Sequence, residues 1–422
     1  KDIILDMVIR VNFSEPLDTV SVNNHTFFLL DSAGIKVPGV IHFENNDATV
    51  LFDPVDLLTS NSTYTFFVTT EITDLQGLNM ENRCEIVFST GNNMSNGKII
   101  NVPGDVETIQ GGIDFANPGD IVLVKPGTYY ENINFKGKAI TVASRFLVDG
   151  DTSYISYTII DGSQPSHSDS GSVVSFHSGE DTTSKLCGFT IKGGTGTWIS
   201  DQSHGGGIFC SNASPYLSNL IITENIAESC NGAGLCFWLN SHALVKNVVV
   251  KNNNGLGNAS TIDGSGGISC AQSSSPILKD VAIYNNIGLM SGALYCNGGS
   301  NPTLINVTIS NNFAIGSPSS SLVAQICSNA SSIPVLINSI VWNNSIPEIL
   351  IRDFGFIVLL NSDIQGGQDS ILIWNNGAPY WLGGNIDVYP EFVDTLAGNK
   401  KLKANSPCID SGIQDTTIYY NN

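Results

Sequence analysis

The sequence predicts an all-β protein in which a small antiparallel β-sandwich precedes a parallel β-helix, a solenoid with a short helix capping its N-terminal end. The solenoid is predicted because seven segments between residues 186 and 367 repeat one apolar pattern. One apolar position recurs in them at Ile191, Ile222, Val250, Ile283, Ile309, Val341 and Ile364. These positions are 23 to 33 residues apart, and an interval of that length suits one rung of a solenoid. The sandwich is predicted because short alternating apolar and polar runs, separated by turn residues, fill the first 92 positions.

The composition excludes several classes of partner. The chain of 422 residues has 18 Lys and Arg against 38 Asp and Glu, a formal net charge of -20. Because this charge repels polyanions, we predict no nucleic-acid partner and no anionic membrane partner. No apolar run approaches the roughly 20 residues that span a bilayer, so we also predict no transmembrane segment.

The predicted sandwich occupies residues 1–92, and a polar linker follows at 93–98. The segments "VNFSEPLD", "YTFFVTT" and "EITDLQGL" make it resemble the bacterial Ig-like domains of the SbsA type. The resemblance implies a spacer or adhesion module of a secreted protein. The usual lead-in before the first strand is absent and the chain stops at "DTTIYYNN", so we expect both ends to be trimmed from a longer protein.

The solenoid is predicted to occupy residues 99–422 and to begin with a helix. In "DVETIQGGIDFANPGD" the residues Ile109, Ile113 and Ala116 share one face, and Asp105 is a plausible N-cap. We expect this face to cover the first open rung, which otherwise exposes apolar side chains. The stretch from this helix to "KGKAITV" resembles the opening of right-handed parallel β-helix proteins of the pectate-lyase-like superfamily.

Asparagines recur at two positions of the predicted rung. The first set is Asn225, Asn253, Asn286, Asn312 and Asn344, and the second is Asn219, Asn247, Asp280, Asn306, Asn338 and Asn361. Asparagine tolerates the left-handed backbone conformation. Its amides can also bond between rungs that lie roughly 4.8 Å apart. We therefore interpret both sets as structural corners.

The chain contains nine cysteines. Cys210, Cys270, Cys296 and Cys327 each follow the strand that starts a new rung, so we expect them to stack as small buried side chains. The alternative is one or two disulfides, for which Cys230 and Cys236 are the nearest pair.

The rungs also predict an outward column on one face, which we define as Lys192, Thr223, Lys251, Tyr284, Ser310, Trp342 and Gln365. Tyr284 and Trp342 suit stacking on sugar rings, and Lys251 suits pairing with uronic-acid carboxylates. The extra residues of the longer repeats all follow the first asparagine set, where their loops would wall a groove. The alternative is that these are ordinary surface residues.

Catalytic motifs were sought in the same region. Lys192, Lys251 and Glu224 are the candidate ionisable groups for a polysaccharide lyase, which needs a Lys or Arg base. The motifs around the catalytic Arg of pectate lyases and the polygalacturonase set are absent, and "SHGGG" at His204, near Asp201, is the closest fragment to the latter. No complete motif is found, so the sequence leaves open whether this is a lyase, a glycoside hydrolase or no enzyme.

Acidic loop residues are the candidates for a metal site. Asp149, Asp151 and Asp161 supply the carboxylates that Ca²⁺ prefers. Solvated turns explain them equally well, because they do not form a ligand loop of defined spacing. Ca²⁺ is the one cofactor that the sequence suggests.

The sequence thus predicts an extracellular or cell-surface protein, and two functions remain open. In the first, the β-helix engages a polysaccharide or cell-surface glycan along a loop-walled outer face, by binding or by cleavage. In the second, it is a structural or adhesive component of a surface layer, sheath or fibre, packed on copies of itself.

Overall fold

A computed structural model describes residues 9–44, 47–54, 58–59, 62–89, 97–199, 202–227, 232–256, 264–316, 322–345, 347–394, 399–409 and 411–413. The chain forms two compact units. The first comprises Lys1–Gly97 and Val148–Gly150, and the second comprises Lys98–Leu147 and Asp151–Asn422. Most of the predicted linker at 93–98 lies outside the described residues.

The first unit contains two antiparallel sheets. One has the strand order Ile9–Asn12, Thr49–Pro54, Gly39–Glu44. The other has the order Lys36–Val37, Phe27–Leu30, Thr63–Val68, Cys84–Ser89. Phe66 lies between them in the core, with its ring centroid 4.8 Å from that of Phe27 and 5.7 Å from that of Phe52. This arrangement confirms the predicted sandwich.

The second unit is a parallel β-helix with three strand positions in each rung, and it confirms the predicted fold class. The first two positions form one long sheet, and in the middle rungs they merge into single strands. Its strands are Ile99–Val102, Ile121–Val124, Gly127–Tyr129, Thr141–Ser144, Thr158–Asp161, Lys185–Cys187, Thr190–Lys192, Tyr216–Thr223, Leu244–Lys251, Ile277–Tyr284, Thr303–Ile305, Thr308–Ser310, Val335–Ile337, Ile340–Trp342, Gly355–Leu360, Asp363–Ile364 and Gly377–Trp381.

The third strand position forms a sheet of nine strands, which we call the third sheet. They are Ile133–Asn134, Val174–Phe176, Ile208–Ser211, Leu235–Trp238, Ile268–Ala271, Ser291–Asn297, Ala324–Ser328, Ile349–Arg352 and Ile371–Trp374. The inward side chains of all three positions form one continuous core. Leu217, Leu220 and Ile222 point into it as predicted.

Smaller elements complete the second unit. Two short sheets comprise Ser170–Gly171, Gly196–Ile199 and Gln202–His204, and Asn254–Gly255, Ile287–Gly288 and Phe313–Ala314. A pair near the C-terminus comprises Phe392–Asp394 and Asn399–Leu402. The helices are Ile109–Phe115, Phe146–Asp149 and Ser153–Tyr157, with a 3₁₀ turn at Gly367–Ser370.

The helix Ile109–Phe115 caps the first rung as predicted, although its N-cap differs. Ile109 and Ile113 are fully buried in the core of the solenoid. Thr108 is the N-cap, since its hydroxyl accepts a hydrogen bond of 3.0 Å from the Gly111 amide. Asp105, the predicted N-cap, instead accepts a hydrogen bond of 2.8 Å from the Asn101 amide. The helix therefore starts one turn later than its acidic residue suggested.

The second asparagine set adopts the predicted left-handed conformation, with φ between 46° and 57°. The first set does not, because the residue before each of its members takes that conformation instead. These preceding residues are Glu224, Asn252, Asn285, Asn311 and Asn343. Since the left-handed residue turns the chain, the asparagine after it points into the solenoid rather than outward.

The inward asparagines of the first set form a ladder along the core. Each Nδ2 donates to the Oδ1 of the asparagine in the next rung, at 3.0, 2.9, 3.0 and 3.1 Å in order. At the end of the ladder Asn344 Nδ2 donates to Glu348 Oε2 at 2.9 Å. Glycines make room alongside, because a Cβ on Gly207 would lie 2.9 Å from Asn225 Nδ2. The predicted bonding between rungs is confirmed.

The four rung cysteines are buried, but they occupy two columns rather than one. Cys210, Phe237, Cys270 and Cys296 pair in register and face the core. Cys327 pairs with Tyr295 and lies on the outer side of the third sheet. The alternative disulfide remains untested, because Cys230 lies outside the described residues.

Candidate functional site

Strand pairing aligns the members of the outward column from Thr223 to Trp342 on the second strand of the rungs, although Thr223 and Ser310 are buried. Strand pairing aligns Thr223 with Lys251, Lys251 with Tyr284, and Tyr284 with Ser310. Ser310 is in turn aligned with Trp342. One rung spacing is about 4.8 Å, so these side chains follow one another along the face at the distance of neighbouring strands.

Lysines dominate the charge of the long-sheet strands in this region, although the whole stretch of residues 185–351 has six acidic residues against five basic ones. Between residues 185 and 351 the only basic residues are Lys185, Lys192, Lys246, Lys251 and Lys279. All five lie on strands of the long sheet, and none is buried. Lys192 is engaged by Asp161, whose Oδ2 lies 3.7 Å from its Nζ. Among the described residues no salt bridge reaches Lys251, so its charge is available to a ligand.

The two aromatic residues of the column lie against the C-terminal part of the chain. The ring centroid of Trp342 lies 6.2 Å from that of Tyr389, in an edge-on arrangement. Lys400 Nζ lies 5.8 Å from the ring centroid of Tyr284. Burial raises the pKa of the Tyr284 hydroxyl and lowers the pKa of the Lys400 ammonium. Neither ring is therefore as open as the sequence pattern suggested.

We call residues 386–394, 399–409 and 411–413 the C-terminal strap, and it is bonded to the last rungs. Asn338 Nδ2 donates to Ile413 O at 2.8 Å, and the Ile413 amide donates back to Asn338 Oδ1 at 2.9 Å. Cys408 Sγ donates to Asp363 Oδ2 at 3.1 Å. Burial raises the pKa of Asp363, and it raises that of Cys408 to about 12. The Cys408 thiol is therefore protonated at neutral pH and can donate to Asp363.

A second column of outward residues runs beside the first, and we call it the flanking column. It comprises Ile221, Val249, Ala282, Thr308 and Ile340, aligned by strand pairing. Thr308 and Ile340 also line a cavity of about 210 Å³. Its other walls include the corner residues Asn306 and Asn338, and Leu402 from the strap.

The opposite end of the face is covered by the helix Ser153–Tyr157. This helix packs beside the strands Thr158–Asp161, Thr190–Lys192 and Tyr216–Thr223. Thr190 Oγ1 donates to the carbonyl of Ile155 at 2.8 Å. The open stretch of the face consequently lies in the middle rungs, between this helix and the strap, where Lys251 is found.

Two of the loops predicted to wall the groove, those containing Met290 and Leu322, fold instead in their described parts over the outer side of the third sheet. Met290 and Leu322 pack there on Tyr295, Cys327 and Leu350. Apolar residues of the third sheet's outer side explain this, since they need cover from solvent. The groove is therefore bounded mainly by the helix and the strap.

His204 belongs to the same cover and is not positioned for catalysis. Its side chain is 1% exposed, with its ring centroid 4.7 Å from that of Trp238. Burial lowers the pKa of His204 to about 4, so the imidazole is neutral at physiological pH. Asp201, the residue considered with it, lies outside the described residues.

The three candidate catalytic groups occupy neighbouring rungs. Lys192 and Lys251 lie on either side of the Thr223 rung, and Glu224 follows Thr223 in the chain. Glu224 is exposed and takes a left-handed conformation with φ of 57°. Thr223 Oγ1 is buried without a hydrogen-bond partner among the described residues. A catalytic role for this group stays a prediction.

The candidate metal ligands are partly engaged elsewhere. Asp151 Oδ1 accepts a hydrogen bond of 2.8 Å from the Ser153 amide, which lowers the pKa of Asp151. Asp161 accepts one of 3.0 Å from the Ser163 amide, besides its contact with Lys192. The Asp149 side chain lies outside the described part of the structure. In the described ranges no three His, Cys, Asp or Glu side chains are arranged to hold a metal ion, and a Ca²⁺ site stays a prediction.

Sequence reasoning missed the strap residues Tyr389 and Lys400 and the cavity beside Thr308. Tyr389 and Lys400 lie in "VYPEFVDTLAGNKKLKANSPC", which does not repeat the rung pattern and also supplies one side of the cavity. The one available signal was the pairing of aromatic and basic residues in this non-repetitive segment.

Comparisons with known proteins bear on the two units separately. Residues 2–90 match the family model described as a bacterial Ig-like domain. A comparison with curated protein sequences found no match. In the described part of the chain, no helix has the length and apolar character needed to cross a membrane.

Several solved structures are similar to the chain. The pectate lyase Pel9A is 15% identical, covering 74% of this chain and 88% of its own, with a TM-score of 0.40. A pectin methylesterase from Yersinia enterocolitica is 11% identical, covering 68% and 95%, with a TM-score of 0.35. The Azotobacter vinelandii mannuronan C-5 epimerase AlgE4 A-module is 15% identical, covering 67% and 92%, with a TM-score of 0.32.

Proposed function

We propose that this chain, an Ig-like domain followed by a parallel β-helix, binds an acidic polysaccharide along the open middle of its outward column. The single observation that carries the proposal is the alignment of Lys251 with Tyr284 on one face, where both side chains are half-buried. That alignment sets an ammonium and an aromatic ring one rung apart. A sugar chain bearing carboxylates has the groups that these two side chains bind.

The charge distribution favours an acidic ligand over a neutral one. The protein has a formal net charge of -20, yet Lys185, Lys192, Lys246, Lys251 and Lys279 supply every basic residue of residues 185–351. An acidic polymer is repelled by the chain as a whole. The long-sheet strands of this stretch carry these five lysines and a single acidic residue, Asp280, so they are the part that would attract it. The ammonium of Lys251 is the group that would pair with a uronate carboxylate, while the Tyr284 ring would contact a sugar face.

We further propose that the protein acts outside the cell or at its surface. The match of residues 2–90 to a bacterial Ig-like domain supports this location. An acidic polysaccharide is also a ligand of that compartment. Binding is proposed rather than cleavage, because Lys192, one of the two candidate bases, is held by Asp161.

The test is a binding panel with polygalacturonate and alginate as acidic probes and dextran as the neutral one. Lys251→Ala should weaken acidic binding about tenfold to a hundredfold, since a hydrogen bond to a charged group contributes about 1.5–3 kcal/mol. Lys246→Ala is the matched control, because it removes the same charge from the same strand, Leu244–Lys251, across the Asn247 corner.

Equal losses in the two variants would show that net charge alone attracts the polymer, and the proposed face would be wrong. If the unmodified protein binds neither polygalacturonate nor alginate, the proposal is refuted. Ultraviolet absorbance recorded in the same samples, with and without Ca²⁺, reports the unsaturated product of a lyase and thereby tests the candidates Lys192, Lys251 and Glu224.

A further inference from the structure

We infer that the groove recognises the end of an acidic polysaccharide chain, with the cavity beside Thr308 holding the terminal sugar and the C-terminal strap closing the groove. This inference rests on the proposed function and adds to it the part of the polymer that is bound. It requires that the groove lead into the cavity, that the cavity suit one sugar, and that the strap stay in place.

The groove leads to the cavity through the flanking column. Val249 is aligned with Ala282, and Ala282 with Thr308, so the three side chains follow one another on the open face. Lys251, Tyr284 and Ser310 run parallel to them two residues further along each strand. A sugar chain paired with Lys251 and extended along the rungs therefore reaches Thr308, which lines the cavity.

The size of the cavity suits one sugar rather than a continuing chain. Its volume is about 210 Å³. Pockets for drug-sized ligands measure roughly 300–1,000 Å³, so this cavity holds a smaller unit. Its walls combine the amide of Asn306 and the hydroxyl of Thr308 with the apolar side chains of Ile340, Ile386 and Leu402. Hydroxyl-binding groups beside an apolar surface match the two kinds of surface on a pyranose ring.

The strap closes the far side because it is anchored at several points. Ser411 and Ile413 bond to the corner residues Asn361 and Asn338, and Cys408 bonds to Asp363. Cys408 and Leu402 line the cavity from the strap side. A polymer that entered the cavity would have to displace these contacts to continue, so the bound chain ends there.

The carboxylate of the terminal sugar is expected to face away from the strap. Asp363 lines the cavity and is 3% exposed, and Asp387 lies close enough to raise its pKa further. A ligand carboxylate beside these two acidic groups would be repelled. Lys251 lies in the opposite direction, which favours this orientation of the terminal unit.

The first experiment measures stoichiometry with the unmodified chain. Polygalacturonate and alginate are each supplied as polymer and as a graded series of short oligomers, and the number of protein molecules bound per saccharide chain is determined by light scattering. End recognition predicts the same number for every length, and an affinity per chain that stops rising once the groove is filled. A number that grows in proportion to polymer length would overturn the inference while leaving the proposed function intact.

The second experiment fills the cavity. Thr308→Phe should weaken binding of the short oligomers at least tenfold. Thr303→Phe is the matched control, because it is the same substitution in the same rung, on the other side of the Asn306 corner. Equal binding by the two variants would refute the terminal pocket.

Two further outcomes complete the test. Unmodified protein that binds neither polymer nor oligomer would refute the inference and the proposed function together. Where the unmodified protein binds, a Tyr389→Ala, Lys400→Ala double variant that binds the oligomers more tightly would show that the strap covers the site rather than forming its end wall, which would overturn the inference alone.

Discussion

Glu348 provides the sharpest test of how the solenoid interior is built. Its carboxyl group is fully buried, and Oε2 accepts the last hydrogen bond of the asparagine ladder from Asn344 at 2.9 Å. The other oxygen, Oε1, has no partner among the described residues. Burial raises the pKa of Glu348 from 4.5 to about 7, although the bonds from Asn344 lower it in part. The folded protein therefore binds a proton at pH values where the unfolded chain has released it.

The sign of the effect on stability follows from this difference. Because the folded state holds the proton more tightly, the contribution of Glu348 to the free energy of unfolding is greatest below pH 4.5 and falls as the pH rises toward 7. The difference of about 2.5 pKa units corresponds to about 3 kcal/mol. That loss is complete at about pH 8, where the carboxylate is ionised in both states.

Glu348→Gln removes the ionisation and keeps the acceptor for Asn344. We expect the variant and the unmodified protein to have similar free energies of unfolding at pH 4.5, and the variant to be about 3 kcal/mol more stable at pH 8. Urea unfolding followed by tryptophan fluorescence across this range measures the difference. Glu224→Gln, at an exposed position, is the control and should change stability by no more than about 0.5 kcal/mol at any pH. A difference between Glu348→Gln and the unmodified protein that stays constant with pH would refute the reasoning.

Two further predictions concern the rungs. Ile283→Asp should unfold the central rungs, because it buries an unpaired charge at a fully buried position; a thermal scan that showed an unchanged Tm would contradict the register. Asn286→Leu should cost about 4 kcal/mol or more in urea unfolding, since its side chain exchanges hydrogen bonds with Asn253, Asn312 and Val250 inside the core. Asn285→Gly, at the exposed left-handed position next to it, is the control and should cost less than about 1 kcal/mol; similar losses in both variants would mean that the ladder contributes little.

The rung register could be read from the sequence because only apolar residues satisfy the inward positions. Ile283 and its equivalents recur for that reason, and they fixed the alignment of Lys251 with Tyr284 in advance. The left-handed corner was displaced by one residue at Asn286, since Asn285 and Asn286 are both asparagine and composition cannot tell which one turns the chain. Likewise Thr108 and Asp105 are both suitable caps, and only the packing of Ile109 on the first rung decides between them.

The parts that could not be predicted depend on contacts distant in sequence. The strap lies beside Trp342 through Tyr389 and bonds to Asn338 through Ile413. Neither segment repeats the rung pattern of the other, so periodicity says nothing about their pairing. The same holds for Met290, whose loop covers the third sheet because that sheet has an apolar outer side. The sequence therefore could not predict how far the candidate site extends or how exposed it is, although it did predict most of the residues of the site.

The asparagine ladder gives the interior of the solenoid an electrical direction. One hydrogen of every Nδ2 in the ladder is donated toward the C-terminal rungs, from Asn225, which accepts from the Gly194 amide at 3.0 Å, to Asn344, which donates to Glu348. Aligned amides polarise one another, so the number of uninterrupted rungs contributes to the potential at the Glu348 carboxyl. Duplication of a rung that carried an asparagine would lengthen this row of dipoles, whereas insertion of one without it would cut the row in two. Growth of the repeat array and the charge state of a single buried acid are thereby linked.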